Sequence, residues 1–194
     1  MNTPAHALLN LALLGSGSGR GHTRPILWGS VLPDLPMLLF YLWQRIAMGA
    51  PEAVIWSERY FDRGWQDFFD VFNSIPLAVL GLGIGFATKR RGGVAFFASM
   101  LLHQAMDLPL HREDAHRHFL PFSDFRFESP VSYWDPTRFG AWASLAEAAL
   151  VAGCATLLWP RFPKPRVRAI LVGLAVLQAL AWALLYGFGW LPSP

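Results

Sequence analysis

The chain alternates apolar runs with short basic turns and longer acidic connections. In residues 169–188 only Gln178 breaks a pattern of apolar residues and glycine. A membrane-crossing helix needs about 20 such residues. Residues 139–159 form a second run, with Glu147 inside it. Residues 71–87 form a third, containing Asn73, Ser74 and Pro76. Residues 94–110 form a fourth, carrying His103, Gln104 and Asp107. Residues 26–48 form a fifth, interrupted by Pro33, Asp34 and Pro36. Residues 5–14 are too short to span and predict a half-helix. The pattern predicts an all-α polytopic bundle: about five crossings plus a short N-terminal helix, in a single integral membrane domain over residues 1–194.

The connections set an orientation. Lys and Arg accumulate in the cytoplasmic loops of membrane proteins. Lys89, Arg90 and Arg91 join two runs; Arg161, Lys164, Arg166 and Arg168 join two others; Arg20 and Arg24 precede a third. With these inside, loops 49–70 and 111–138 and the C-terminus lie outside, and so does the N-terminus if residues 5–14 cross or half-cross. Residues 119–136 are rich in aromatics and proline without forming a crossing. Trp and Tyr favour the headgroup level, so this stretch, with His111, His116 and His118 just before it, predicts an external His- and aromatic-rich cap over about 111–138.

Composition agrees. Hydrophobic residues make up 54% and charged ones 15%, where about 25% charged is usual for a soluble domain. Disorder and a polar soluble fold are excluded. The net charge of +3 fits basic membrane loops, and no nucleic-acid partner is expected. The single cysteine, Cys154, rules out an internal disulfide and a CxxC zinc site. The N-terminus lacks the basic segment of a secretory signal. The glycine-rich stretch from Ser16 to Gly21 follows no strand and precedes no Gly-Lys-Ser/Thr, so it is not read as a nucleotide loop.

Chemistry concentrates at a few positions. His103 and Asp107 are four apart, on one helical face, and imidazole and carboxylate are both zinc ligands. Ionisable groups inside membrane segments are costly and usually functional. Asp34 lies between two prolines within an apolar run and needs a cation, a proton or a metal. His6 follows a helix start at Thr3-Pro4. His111, Arg112, Glu113, Asp114, His116, Arg117 and His118 crowd one external turn, and His111 extends the His103–Asp107 spacing. Each has a plain alternative: a His–Asp hydrogen bond, a protonated or Arg-paired Asp34, a solvated His6, a surface turn. Asp70, before the run at Val71, reads equally as a helix cap. The loop charges place His6, Asp70, Asp107 and His111 toward the outer side, which suggests one metal site opening outward.

The order is His near the N-terminus, Pro-Asp in the second apolar run, and His-x-x-x-Asp in a later one. Over roughly residues 1–125 it resembles the membrane-bound metal-dependent hydrolase family of bacterial inner membranes, which is distantly similar to zinc-dependent phospholipase C. The resemblance implies metal ligation by His6, Asp34, His103 and Asp107. It departs at Pro36, where the family often has a second acid, and at Asp70–Ser74, which lacks the family's paired histidines. The expected function is metal-dependent hydrolysis, with zinc, of a lipid-like ester or phosphodiester at the outer leaflet of the bacterial inner membrane. Asp70, His111, Glu113 or Asp114 would serve in catalysis. Arg112, Arg117, His116 and His118 would bind substrate. The alternatives are an ion- or proton-linked transporter, to which Glu147 would be suited, and a non-catalytic metal-binding module.

Overall fold

The computed structural model describes residues 1–187, whose regular elements are all helical, with no strand among them. Phe188, the end of the last apolar run, and the C-terminus lie outside the described residues. The helices are α1 (Thr3–Leu14), α2 (Thr23–Val31), α3 (Leu35–Leu42), α4 (Glu52–Ser57), α5 (Arg63–Phe72), α6 (Ile75–Ala87), α7 (Arg91–Asp107), α8 (Gly140–Leu158) and α9 (Pro165–Trp182). A π-helical turn, Trp43–Ala47, prolongs α3.

Three segments are long and apolar enough to cross a membrane: Arg63–Ala87, Gly140–Arg161 and Pro165–Trp182. A fourth arises if α2 and prolonged α3 are taken together, although they meet at 55°. The expected run at 94–110 corresponds to α7, which has 17 residues and is not among these three. Pro109 accounts for its early end: Leu108 keeps helical angles and still donates to Gln104 O, but proline has no N–H to continue the ladder. The break between α2 and α3 falls at Leu32–Asp34, beside Pro33 and Pro36, and interrupts the backbone ladder. α1, with 12 residues, is about 18 Å long at 1.5 Å per residue and is too short to span.

α1 lies at the centre, packed against α2, α7 and α8; α2 and α6 pack on α7, and α9 packs on α8. The core between them is built from Ala5, Leu8, Leu9, Ile26, Val151 and Leu158, among others. A second cluster, Phe40, Ile55, Tyr60 and Phe69, joins α3, α4 and α5 away from it. α2 and α7 approach very closely at Gly29. A Cβ there would come within 2.1 Å of the Phe96 carbonyl oxygen, so only glycine fits.

That approach permits two polar tiers across α1, α2 and α7. In the first, Asn10 Nδ2 donates to Ser99 O and Ser99 Oγ at 2.8 Å, and Ser99 Oγ donates to Ile26 O at 2.6 Å. The second lies four residues along each helix, at His6, His103 and Ser30. Residues four apart share a helical face, so the first tier fixes the register of the second.

Residues 108–135, after α7, fold back on themselves. Ser129 N donates to His111 O at 3.1 Å, Tyr133 N to Leu110 O at 2.8 Å, and Ser129 Oγ to Pro109 O at 2.6 Å.

Candidate metal centre

His103 Nδ1 donates to the Ser30 carbonyl at 2.8 Å. Its Nε2 is thereby turned toward two carboxylates, 3.0 Å from Asp107 Oδ2 and 3.4 Å from Asp34 Oδ1. Neither contact has hydrogen-bond geometry, and Nε2 is a buried nitrogen without a partner. The His6 ring stacks on that of His103, with centroids 3.7 Å apart. His6 Nε2 lies 2.9 Å from Asp107 Oδ1, while its Nδ1 has no partner. Both histidines are wholly buried. Asp34 sits at the break before α3, where its Oδ2 accepts from Thr3 Oγ1 at 2.5 Å. The Met1 ammonium lies 2.6 Å from Asp107 Oδ1.

His6, His103 and Asp107 each offer a ligand atom, all within 4.8 Å of one another. A tetrahedral zinc ion with bonds near 2.1 Å separates its ligand atoms by about 3.4 Å. The contacts of 2.9, 3.0 and 3.4 Å are of that size. The donor set fits a divalent ion. Two imidazoles and two carboxylates converge, and a backbone carbonyl orients one imidazole from behind, as is usual for histidine ligands.

His111 borders this cluster. Its Nδ1 donates to Asp114 Oδ2 at 2.6 Å, and Asp114 Oδ2 also accepts Trp134 Nε1–H at 3.1 Å. His111 Nε2 lies 3.6 Å from Asp107 Oδ1. Burial disfavours the His111 imidazolium, but Asp107 and Asp114 outweigh burial and push its pKa up to about 9. Burial likewise opposes the Asp114 carboxylate, yet His111 holds its pKa below the usual range.

The other residues expected in the site separate from the cluster, as the contacts of each make plain. Asp70 lies within α5, near its C-terminal end and wholly buried; the cap of the following helix is Ser74, whose Oγ accepts from Leu77 N at 3.2 Å. Asp70 receives His116 Nδ1 at 3.1 Å, Arg117 Nε at 2.5 Å and Arg126 Nη2 at 3.1 Å. Arg117 also pairs with Asp67 and Asp124. Arg112 donates to Ser129 O at 3.1 Å, and Glu113 accepts from Ser132 Oγ at 3.0 Å. His118 donates from Nδ1 to Asn73 O at 3.0 Å. Burial first, and His116 second, push the His118 pKa down to about 4.

Sequence reading passed over Ser30, Thr3, Asn10 and Ser99. Their signal is positional: Asn10 lies four residues from His6, Ser99 four from His103, and Ser30 four before Asp34. Comparison with protein-family models, curated proteins and solved structures gives no match.

Proposed function

We propose that this chain is a membrane-embedded metal-dependent hydrolase. It acts on a lipid-like ester or phosphodiester at the outer leaflet of a bacterial inner membrane. The observation that carries this reading is His103: its Nδ1 proton is committed to Ser30, so its Nε2 lone pair faces Asp34 and Asp107 beside His6.

His6, Asp34, His103 and Asp107 would hold the ion, and zinc suits this nitrogen and oxygen set. The chemistry such an ion supplies when bound is polarisation of a phosphoryl or carbonyl oxygen and a water pKa lowered to about 7. Ser30 and Thr3 orient two of the ligands. His111, aligned by Asp114, holds or moves a proton at Nε2 on the edge of the cluster. Arg117 is engaged by three carboxylates and anchors the loop, so among the arginines Arg112 is the more available to an anionic group.

Five crossings fit this reading: the α2–α3 pair, α5–α6, α7, α8 and α9. Only Thr88–Arg90 separates α6 from α7, and the two pack together, so α7 returns through the layer that α6 crosses. With the basic turn at Lys89–Arg91 cytoplasmic, His103 and Asp107 stand roughly 18 and 24 Å above the start of α7. A hydrocarbon core is about 30 Å thick, so the cluster sits in the outer part beneath loop 111–138, which serves as its cap.

Elemental analysis of detergent-purified protein, followed by turnover of phospholipids and model phosphodiesters, tests the proposal. Stoichiometric metal and hydrolysis are expected. Reporter fusions after Arg91 and Arg168 should read cytoplasmic, and one within 126–135 external. Metal with no turnover of any ester would instead favour the transporter or metal-binding module. For that reading the specific observation is Glu147, buried with Oε2 unpartnered.

A further inference from the structure

Three of the four clustered side chains are closed off from the surface. The side chains of His6 and His103 are fully buried and that of Asp107 is 5% exposed, but that of Asp34 is 16% exposed. Asp34 reaches the outside through a cleft of about 290 Å³ between α3 and α4. Thr3 and Asp34 line its polar end; Met37, Leu38, Tyr41 and Trp56 form the rest. The walls are fixed. Tyr41 and Trp56 stack with centroids 5.7 Å apart. Both are tied to Glu52, through Tyr41 Oη–H at 2.6 Å and Trp56 Nε1–H at 3.0 Å.

Outside the cleft the apolar surface continues. Leu38, Leu39, Leu42, Trp43 and Ile46 are all exposed along α3 and its π-helical turn. The 55° bend after α2 turns this face away from the direction of α2. A soluble protein rarely leaves so much contiguous apolar surface uncovered. A membrane segment does so where it meets lipid. The surface thus runs without interruption from a lipid-facing helix, over an aromatic pair, to a carboxylate of the metal cluster.

We infer that this cleft is a lateral entrance for a long-chain amphiphile of the outer leaflet. The acyl chain lies against Met37, Leu38, Tyr41 and Trp56, and the anionic head would reach an ion held by Asp34 and its neighbours rather than the carboxylate itself. The inference rests on the hydrolase reading and narrows its substrate class. It selects molecules with an acyl or alkyl chain next to the polar group, over free phosphate and over soluble diesters. Apolar walls supply the chain with a partner that water-soluble esters cannot use, and a single methylene in such a pocket is worth roughly 10–200-fold in discrimination.

The test uses the full chain in lipid nanodiscs, with dodecyl phosphate brominated near the tail end as the probe. Bromine quenches tryptophan emission at contact. The chain has 9 tryptophans, so the Trp56 part is the difference between the protein and Trp56→Phe. Saturable quenching of that part is expected. Leu38→Arg should weaken it about tenfold or more, and Met37→Phe, which narrows the cleft without adding a tryptophan, should also weaken it. Unmodified dodecyl phosphate should compete, and inorganic phosphate should not. Absence of saturable quenching overturns the entrance, as does equal quenching in both variants, or quenching by tail-brominated bulk phospholipid alone. Metal measured on the same samples separates the two claims. Full metal without quenching removes the entrance only, and quenching without metal removes the hydrolase reading.

Discussion

Asp70 and Asp107 are both buried carboxylates beside residues of the loop after α7, yet they are neutralised in opposite ways. Asp70 receives four donors: His116 Nδ1, the Arg117 backbone N–H, Arg117 Nε and Arg126 Nη2. Two of these are guanidinium groups, Arg117 Nε and Arg126 Nη2, which do not deprotonate in proteins. Asp107 instead faces His6 and His103, plus His111 at 3.6 Å and the Met1 ammonium at 2.6 Å, groups that can all give up a proton, and two buried imidazole nitrogens nearby have no partner. A carboxylate saturated by permanent cations is a structural joint. One surrounded by imidazoles can exchange a proton or take an ion. The lesson is that burial of an acid says little; the protonation freedom of its partners decides what it can do.

The largest expected effect strikes the joint. Asp70→Ala leaves Arg117 and Arg126 without their shared partner, which costs about 3–5 kcal/mol for a broken buried pair. The lower figure applies, because the side chain of Arg126 is 33% exposed and keeps some hydration. Denaturant unfolding with and without chelator should show equal losses. A loss that appears only with metal present would place Asp70 in the site.

Next in size is the cluster itself. His103→Ala and Asp107→Ala should each abolish stoichiometric metal, while His22→Ala should retain it. Free metal at 100 times its dissociation constant should stabilise the parent by about 2.7 kcal/mol and these two variants by nothing. Unchanged metal content in both would sink the assignment. His111→Ala should keep its metal and lose turnover, by roughly 10²–10⁴-fold if the imidazole transfers a proton.

The unequal legibility of the two regions has a physical cause. Apolar runs and basic turns are local signals, so the helical architecture could be read from sequence. The break at Asp34 could be read from Pro33 and Pro36. Asp34, His103 and Asp107 stood out because charges within apolar runs are costly, His6 entered as a ligand only through the family resemblance, and the structure brings the four together. Asp70 misled because it directly precedes an apolar run, as a cap would. The amphipathic α5 begins earlier, capped by Asp62 Oδ1 accepting from Gly64 N at 3.0 Å. Arg117 misled because the sequence does not tell which carboxylates a loop cation will meet. Ser30 and Ser99 offered only their four-residue spacing from Asp34 and His103, since Ser30 acts through its own backbone carbonyl and Ser99 through the Ile26 carbonyl of another helix.

Acid should sharpen the contrast. His118 is buried at the joint side, facing His116 and Asn73 O, with His111 and Asp107 farther off. Its pKa is about 4 in the fold against about 6.5 unfolded. In that window the unfolded chain binds a proton that the folded chain does not, so stability falls as pH falls. The slope is at most about 1.4 kcal/mol per pH unit. The contribution is complete above about pH 6.5 and is lost progressively toward pH 4. His118→Asn should flatten this slope. A slope that survives the substitution would assign it to other groups.

The smallest effect concerns Glu147, a third kind of buried acid. Its Oε1 accepts the Asn2 backbone N–H at 2.6 Å, and Asn2 Nδ2 reaches Gln178 Oε1 at 3.1 Å. Asn2 O in turn accepts from Ala5 N and His6 N at 2.9 and 3.2 Å. Glu147 therefore grips the first turn of α1, the helix that carries His6, from α8. A glutamine carbonyl can accept the same N–H, so Glu147→Gln should change stability by about 1 kcal/mol and leave metal stoichiometry intact. Glu147→Ala removes the acceptor and should cost more, with His6 less firmly placed and metal held more weakly. If Glu147→Gln stays folded and metal-loaded but loses a measured ion flux, the residue is a carrier of charge and the transporter reading gains. If it loses nothing, Glu147 belongs with Asp70 as a joint, and the exchangeable chemistry is confined to the imidazole-lined acids.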